Sequence, residues 1–342
     1  MICFAWKGFP QYGARAVGAF VRSTKERVIV LATHPSVPVE GMEKYAECEV
    51  IWVKERVPVD VKALLGEVPR CMFSSAWWAP EFSKSWSVVR TNGGRVIAMI
   101  DNNYVPTLKC FLNGLRFRVC FARRFDGYFV PGNSSVRLLK SYGVAESKIA
   151  KGFYCADANL FRLGPPPSRR PKKILFTGRL IERKNVLRTC AAFIRANQKV
   201  GGGWTLDVCG VGPLVDRIPV VPEINIRGFV QPEEIAALYQ EARAFVLPSL
   251  EEHWGLVVHE AALSGCMLLL SDRVGAADDF VTKENGALFN PHDKTAIEAA
   301  FLRVMTMSSE DADRAVTAAA VIAQNASLDL FVKGMHYFAD MK

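Results

Sequence analysis

Two rounds of alternating short apolar strands and helices constrain the fold of this chain more than any other feature of its sequence. In the first round, Ala14–Arg22 and Ser134–Tyr142 have the pattern of helices. The predicted strands of this round are Ile2–Trp6, Val28–Thr33, Glu49–Val53, Cys71–Ser74, Arg95–Ile100 and Gly127–Val130. Alternation of this kind predicts a parallel sheet wrapped by helices.

The second round begins after Gly164–Pro171, which reads G-P-P-P-S-R-R-P. Its predicted strands are Lys173–Thr177, Leu206–Cys209, Ile224–Arg227, Ala244–Leu247, Met267–Ser271 and Gly286–Phe289. We expect the prolines to stiffen an extended linker and the basic residues to keep it solvated. The predicted fold class is therefore α/β, with two doubly wound Rossmann-like domains, residues 1–165 and 166–342, facing a cleft at the carboxyl ends of their strands.

The composition is that of a soluble cytoplasmic protein. No apolar run reaches the roughly 18 residues that span a bilayer, and the longest, Ala261–Leu270, is in mid-chain. A signal peptide has a basic stretch before its apolar segment, and the apolar segment Met1–Trp6 has none. The nine cysteines form no C-x-x-C pair, which indicates free thiols in a reducing compartment.

Positive charge is concentrated in the first half of the chain. Residues 1–165 contain 23 Lys and Arg against 13 Asp and Glu, whereas residues 166–342 contain 20 against 21. A basic half attracts an anionic partner, either nucleic acid, a membrane surface or a phosphorylated substrate.

Two stretches of the basic half are candidates for contact with an acceptor or a membrane. Ser75–Trp86 is predicted to be a tryptophan-rich loop. Lys109–Phe125 interleaves five cations with aromatic and aliphatic residues, a composition that suits an anionic membrane surface. The alternative is an ordinary helix packed on the sheet with a solvated basic face, and we favour it for the aromatic residues.

Two glutamates eight positions apart are the first candidates for chemistry. Pro248–Gly265 reads P-S-L-E-E-H-W-G-L-V-V-H-E-A-A-L-S-G, and a helix is predicted to begin near Trp254 or Gly255. Glu252 then precedes the helix, and Glu260 lies inside it. The free backbone N–H groups of a helix start suit a diphosphate.

Two cations follow the first strand of the second half. Phe176–Asn185 reads F-T-G-R-L-I-E-R-K-N, in which Arg179 and Lys184 can converge on one anion. Two such cations can stabilise a departing nucleoside diphosphate without a divalent metal.

With these segments the sequence resembles the family-four retaining glycosyltransferases, also called glycosyl transferases group 1, which have the GT-B fold. The resemblance covers most of the second half of the chain. It is carried by motifs in Gly178–Asn185, Gly210–Pro213, Arg227–Val230, Glu252–Glu260, Ser271–Gly275 and Asn285–Phe289.

The resemblance implies roles for the matching positions. Arg179 and Lys184 would bind the donor phosphates, Glu260 the ribose hydroxyls, and Glu252 would face the donor sugar. Arg179, Lys184 and Glu252 are the implied catalytic residues. The remaining implied donor-binding positions are Gly178, Gly228, Phe229, Val230, Trp254, Gly255, Leu256 and Val257. In the N-terminal domain, the candidates for a diphosphate loop or acceptor site are Gly8, Gly13, Asp101 and Asn102. Asp101 has capping of the following helix as an alternative role.

The implied function is transfer of a sugar from a nucleoside-diphosphate sugar to a glycan or lipid-linked acceptor, with retention. The resemblance assigns acceptor binding to residues 1–165 and donor binding to residues 166–342. We expect no cofactor, no metal and no nucleic acid, and a cytoplasmic location with peripheral contact to the inner face of the membrane. Asp311 and Asp313 have the D-x-D spelling of metal-dependent enzymes, but they start a terminal helix.

Three alternatives remain open at this point. A nucleic-acid-binding protein is suggested by the sequence pI of about 9.1, although no recognised module is present. An oxidoreductase is suggested by the two doubly wound halves, although no G-x-G-x-x-G follows Ile2–Trp6 or Lys173–Thr177. An inactive GT-B scaffold is the third.

Overall fold

The computed structural model describes residues 1–35, 41–324 and 326–341, and the chain divides into two compact units. The first unit comprises Met1–Cys155 together with Ala326–Lys342, and the second comprises Ala156–Asn325.

The first unit is built on a parallel sheet of seven strands. In chain order they are β1 Ile2–Trp6, β2 Val28–Ala32, β3 Glu49–Trp52, β4 Cys71–Ser74, β5 Arg95–Met99, β6 Gly127–Val130 and β7 Ile149–Lys151. Their order in the sheet is β3-β2-β1-β4-β5-β6-β7. The helices are α1 Gln11–Ser23, α2 Met42–Ala46, α3 Val61–Leu65, α4 Pro80–Thr91, α5 Leu108–Cys120 and α6 Asn133–Ser141. Every residue of β1 and β2 is buried, as expected of strands covered on both faces.

The second unit repeats this architecture with six parallel strands. They are β8 Lys173–Thr177, β9 Thr205–Cys209, β10 Ile224–Gly228, β11 Ala244–Leu247, β12 Met267–Ser271 and β13 Gly286–Phe289, in the order β10-β9-β8-β11-β12-β13. The helices are α7 Val186–Lys199, α8 Pro232–Glu241, α9 Leu256–Leu263, α10 Ala277–Phe280, α11 Lys294–Met305 and α12 Ser309–Ala323. The last helix of the chain, α13 Leu328–Ala339, belongs to the first unit.

Each sheet has a point where the direction of strand addition reverses. In the second unit the chain builds outward from β8 to β10 and then returns to place β11 on the other side of β8. The loops after β8 and β11 therefore leave the sheet edge in opposite directions, and the space between them is where open α/β sheets bind ligands. The first unit has the same reversal between β1 and β4.

The unit boundary differs from the predicted one at both ends of the second unit. The first crossing falls after Cys155 and not after residue 165, and the chain returns to the first unit after Asn325. Helix α13 packs Phe331 and Phe338 against Phe129 of β6, with ring centroids 5.5 and 6.3 Å apart. Burying each phenylalanine contributes about 1.5–3 kcal/mol, which favours this docking.

The predicted solvated linker is instead part of the second unit. Arg170 lies within Gly164–Pro171, yet it is only 2% exposed. Its guanidinium donates to the carbonyl oxygens of Pro165, Ala242, Ser264 and Gly265 at 2.6–3.0 Å. The basic composition that suggested solvation therefore serves to satisfy backbone acceptors where α8 and α9 end.

The tryptophan-rich segment also differs from the prediction, because half of it is helical. Pro80 stands in the first turn of α4, where its missing N–H costs nothing. Phe82 and Trp86 point into the core from this helix. The short helices α2 and α3 and the strand β7 had no sequence prediction.

One stretch of the described residues, Ser309–Ala339, is long and apolar enough to cross a membrane by length and composition. It contains two helices, α12 and α13, which belong to different units. Val316 of α12 and Phe331 of α13 are buried in the cores of those units. Part of the apolar composition of this stretch therefore packs in the two cores.

Arg170→Ala is expected to destabilise the protein, because four carbonyl oxygens lose their donor in a buried place. We expect a loss of about 2–4 kcal/mol of unfolding free energy, measured by urea denaturation. Arg169→Ala is the matched control, because Arg169 is exposed. Equal stability of the two variants would contradict the structural role of Arg170.

Candidate active site

The loops that follow β8 and β11 are tied together by backbone and side-chain hydrogen bonds. Asn185 adopts a left-handed conformation with φ of 57°, and its amide donates to Pro248 at 3.2 Å and Pro291 at 2.9 Å. The backbone N–H of Leu250 donates to the carbonyl of Arg183 at 2.8 Å. These bonds hold the two predicted donor-binding segments in one place, at the strand reversal of the second unit.

Lys184 and Glu252 form an ion pair across these loops. The Nζ of Lys184 donates to Oε2 of Glu252, which also accepts from the hydroxyl of Ser249 at 3.2 Å. The two side chains are only 10% and 13% exposed. The structure therefore places the predicted phosphate-binding cation directly beside the carboxylate predicted to face the sugar.

Arg179 lies at the end of β8 and is exposed. Among the described residues, no carboxylate forms an ion pair with it. Lys184 is committed to Glu252, whereas the guanidinium of Arg179 is available to an anion from solution.

Glycine is sterically required where the strand-end loops of β8 and β9 meet. Gly210 has φ of +144°, and a Cβ there would lie 1.9 Å from the carbonyl oxygen of Gly178. A Cβ on Gly212 would lie 2.4 Å from the carbonyl oxygen of Leu180. The glycines of the G-V-G-P motif thus permit the two loops to approach each other closely. This requirement for glycine does not depend on a bound ligand.

Helix α9 begins at Leu256, as predicted, with Gly255 as its N-cap. Gly255 has φ of +89°, and no side chain of the residues that the structure describes caps the helix start. Trp254 is buried and packs edge-on against Phe280 at 5.9 Å between ring centroids. Because the Trp254 side chain is buried, it is not available to a ligand. The backbone of Gly255, Leu256 and Val257 is therefore the part of this segment that suits one.

Half-buried Glu260 joins a chain of hydrogen bonds with the buried side chains of Tyr239 and Thr177. The hydroxyl of Tyr239 donates to Glu260 Oε2 at 3.3 Å and lies 2.9 Å from the hydroxyl of Thr177. Burial raises the pKa of Glu260 to about 7, while the Tyr239 hydrogen bond acts in the opposite direction. Glu260 therefore changes charge near neutral pH, and a group that donates hydrogen bonds to it favours the carboxylate.

The predicted base-contact segment lies at the end of β10. The N–H of Gly210 donates to the carbonyl of Gly228 at 2.6 Å, which ties this loop to that of β9. Phe229 is exposed, and Gly228 has φ of +68°. An exposed aromatic ring beside a strand end offers a stacking surface.

His259 and Asp313 of this unit form structural hydrogen bonds. His259 is fully buried, accepts at Nδ1 from the N–H of Ala156 and hydrogen bonds through Nε2 to the carbonyl of Ala323. Burial lowers its pKa to about 4, so the ring is neutral. Asp313 accepts from the N–H and hydroxyl of Ser168 at 3.0 and 2.9 Å. Among the described residues, no group of three or more His, Cys, Asp and Glu could hold a metal ion.

The candidate positions of the first unit lie after β1, in α1 and after β5. The N–H of Gly8 donates to Thr33 Oγ1 at 2.8 Å, so this donor already has an internal acceptor. Gly13 lies in α1, where a Cβ would be 2.8 Å from the Trp6 ring. Asp101 accepts from the hydroxyl of Tyr154 at 3.2 Å, while Thr107 caps α5. Asn102 follows Asp101 in the same loop.

Two of these findings differ from the sequence expectations. Asp101 is not the cap of the following helix, because α5 begins seven residues later at Leu108. The sequence reasoning also missed Ser249 and Tyr239, which contact the two glutamates. Ser249 is the second residue after β11, within the Pro248–Gly265 segment that the sequence analysis considered. Tyr239 lies on another helix and has no local signal.

Comparison with known proteins agrees with this geometry. Residues 171–307, about two fifths of the chain, match the family model Glycosyl transferases group 1. Glycogen synthase of Mycobacterium tuberculosis is 32% identical over 146 residues, 41% of this chain and 35% of that protein. O-antigen chain mannosyltransferase B of Escherichia coli is 32% identical over 122 residues, 36% of this chain and 30% of that protein. The matched part thus spans about a third of each relative.

Solved structures extend the likeness to the whole fold. A glycosyltransferase from Rickettsia africae has a TM-score of 0.75 at 14% identity, covering 99% of this chain and 98% of that one. HepE from Anabaena, solved with UDP, has a TM-score of 0.76 at 15% identity, covering 98% of both chains. The fold of the chain is therefore GT-B, which confirms the predicted fold class.

Arg179→Ala and Lys184→Ala are expected to reduce turnover similarly but to differ in stability. Loss of one contact to a developing charge costs on the order of 2–4 kcal/mol in the transition state, or about 30- to 1,000-fold in rate. Lys184→Ala also leaves Glu252 without its cation, at a cost of about 1.5–3 kcal/mol of unfolding free energy.

Exposed Arg179 has no such partner in the part of the chain that the structure describes, so its variant should unfold at the wild-type urea midpoint. Steady-state kinetics and urea denaturation on both variants provide the two readouts. Equal stability of both variants would deny the ion pair a structural contribution, and normal turnover of both would remove their role at the leaving group.

The unfolding free energy of the ligand-free protein is expected to depend on pH through the titration of Glu260. Its pKa rises from 4.5 unfolded to about 7 folded, so the folded state binds more protons between these values. Stability from this group is full below about pH 4.5 and is lost as the pH rises through 7.

Urea denaturation between pH 4.5 and 8 should show this loss in wild type and in Glu233→Gln, an exposed control. Glu260→Gln, which cannot ionise, should lack it. An identical pH profile in all three proteins would place the Glu260 carboxyl in a solvated environment.

Proposed function

We propose that the chain is a retaining glycosyltransferase that moves a sugar from a nucleoside-diphosphate sugar to an acceptor. The observation that carries this proposal is the pairing of Lys184 with Glu252 at the strand reversal of a unit whose residues 171–307 match a glycosyltransferase family. HepE, which has the same fold, was solved with UDP and with UDP-glucose, and this supports a nucleotide-sugar donor.

The donor would lie along the strand ends of the second unit. The diphosphate would meet Arg179, Lys184 and the N–H groups that begin α9, where the helix dipole favours an anion. The ribose hydroxyls would donate to Glu260, whose carboxyl is held by Tyr239. The base would contact the backbone of Gly228, Phe229 and Val230, and the sugar would lie toward Glu252.

The chemistry would depend on stabilising the leaving group. The bond from the anomeric carbon to the diphosphate oxygen breaks, and a bond from the acceptor oxygen to the same carbon forms on the same face. The acceptor proton passes to the departing phosphate. Arg179 and Lys184 would neutralise the charge that develops there, so no divalent metal is required in this proposal.

The acceptor would be a glycan or a lipid-linked glycan of a bacterial surface polymer. A relative named for O-antigen chain synthesis supports this class of acceptor. The basic first half supports an anionic acceptor or membrane surface. The protein would then work in the cytoplasm, peripherally on the inner face of the cytoplasmic membrane.

The test is a panel of nucleotide sugars offered to the full chain, read first by thermal shift and then by release of nucleoside diphosphate. We expect at least one donor to stabilise the protein by mass action and turnover to persist in EDTA. Loss of transfer in EDTA that manganese restores would refute the metal-independent route.

Two glutamine variants separate the proposed roles with the donor that the panel identifies. Glu260→Gln should weaken donor binding, whereas Glu252→Gln should bind nucleoside diphosphate nearly normally and transfer slowly. Calorimetry with UDP or the matching nucleotide measures the first effect, and kcat the second. The reverse order would exchange the two roles. Absence of both a thermal shift and nucleoside diphosphate release with every nucleotide sugar of the panel would refute the enzyme class.

A further inference from the structure

Helix α5 of the first unit shows its apolar side to solvent. Leu108, Phe111, Leu112, Leu115 and Val119 recur at helical spacing, and they are between 44% and 84% exposed. Phe117, on the opposite side of the helix, is buried in the core. A helix on the surface of a soluble domain has the opposite arrangement, with polar residues outward.

Burial of Phe117, Phe121 and Phe125 confirms the expected packing of these aromatic residues, and the five cations of the segment are exposed as expected. The exposed apolar stripe was not predicted from the sequence. The helix packs inward through Phe117 against Tyr128 of β6 and through Gly114 against Tyr142, but its outward face carries an apolar stripe. Gly114 permits this close approach, because a Cβ there would lie 2.8 Å from the ring of Tyr142. An exposed apolar face of this size is typical of a surface that binds another protein or a membrane.

Cations flank the apolar stripe of α5. On the helical wheel, Lys109 and Arg116 lie along one flank and Arg118 along the other, while Arg123 and Arg124 follow the helix. No Asp or Glu occurs between Asn102 and Phe125. Exposed Trp78 extends the stripe, with the Arg116 guanidinium 5.8 Å from its ring centroid.

Grooves run along both sides of α5, so the helix projects from the surface. One, of about 470 Å³, is lined by residues that include Phe111, Leu115 and Tyr142. The other, of about 230 Å³, is lined by residues that include Trp78 and Arg116. A projecting helix can insert into a fluid lipid layer, which does not need a surface of matching shape.

We propose that α5 and Trp78 dock the protein on a bilayer of anionic lipids, with the apolar stripe among the acyl chains and the flanking cations at the headgroups. An amphipathic helix of this composition lies in the interface plane. Each Lys or Arg near the surface attracts anionic headgroups. This deepens the proposed function, since it assigns a surface to the membrane contact that a lipid-linked acceptor requires.

Charge argues against a second copy of the chain as the cover. A two-fold contact would bring the same five cations of each copy together, without an acid in either segment to pair with them. An anionic bilayer neutralises all of them while it covers the apolar stripe.

The test is co-sedimentation of the full chain with vesicles of phosphatidylcholine alone or with about one third phosphatidylglycerol. We expect binding to the anionic vesicles and at least a tenfold weaker partition of Val119→Glu and Leu112→Glu. Both positions point outward, so the variants should fold. Val220→Glu is the matched control, because Val220 is the most exposed valine of the second unit and should bind as wild type.

Two further readouts make the result decisive. Trp78→Phe should remove part of the fluorescence blue shift that vesicles induce, and the thermal shift with nucleotide should be unchanged in all four variants. Failure of wild type to bind anionic vesicles, or normal binding by Val119→Glu, would overturn the proposal while leaving the donor site intact. A dimer of wild type in sedimentation velocity that Val119→Glu abolishes would also overturn it, in favour of a second copy.

Discussion

The parallel pairing of β8 with both β9 and β11 is the constraint on which the candidate site depends. Because β11 returns to the other side of β8, the loops after these two strands separate at the sheet edge. Asn185 and Leu250 then tie the loops back together by hydrogen bonds. Lys184 and Glu252, 68 positions apart in the sequence, meet as a direct result. The order of the strands thus determines where the charged groups are.

Much of this arrangement could be predicted from local sequence. Buried parallel strands are continuous apolar runs, so β1, β6, β8, β11 and β12 were located to the residue or nearly so. The start of α9 was predictable because glycine and the following apolar run mark it. The glycines at 178 and 210 could be associated with close backbone approach, and the structure supplies the carbonyl contacts that require them.

The missed features depend on contacts between distant positions. Arg170 has the composition of a solvated linker and yet is buried, because its donors meet carbonyls more than 70 residues away. The docking of α13 on the first unit depends on Phe129, about 200 positions earlier. Tyr239 belongs to the site only because α8 lies beside α9. A local sequence pattern carries no information about contacts between positions this far apart in the sequence.

The two units differ in what they offer to a ligand. The second unit carries the paired Lys184 and Glu252, the exposed Arg179 and the titratable Glu260, a set suited to an anionic, hydroxyl-bearing molecule. The first unit carries most of the positive charge and the exposed apolar helix α5, a set suited to an interface. We therefore assign the nucleotide-sugar donor to the second unit and the membrane contact to the first.

The central claim is that the strand-end loops of the second unit bind a nucleoside diphosphate. Hydrogen–deuterium exchange of the full chain with and without saturating UDP tests it most directly, because exchange reports backbone protection segment by segment. The account predicts slower exchange in residues 178–185, 228–230 and 252–260, with α5 unchanged. Protection confined to the first unit, or none at a concentration where UDP binding is established by calorimetry, would contradict it.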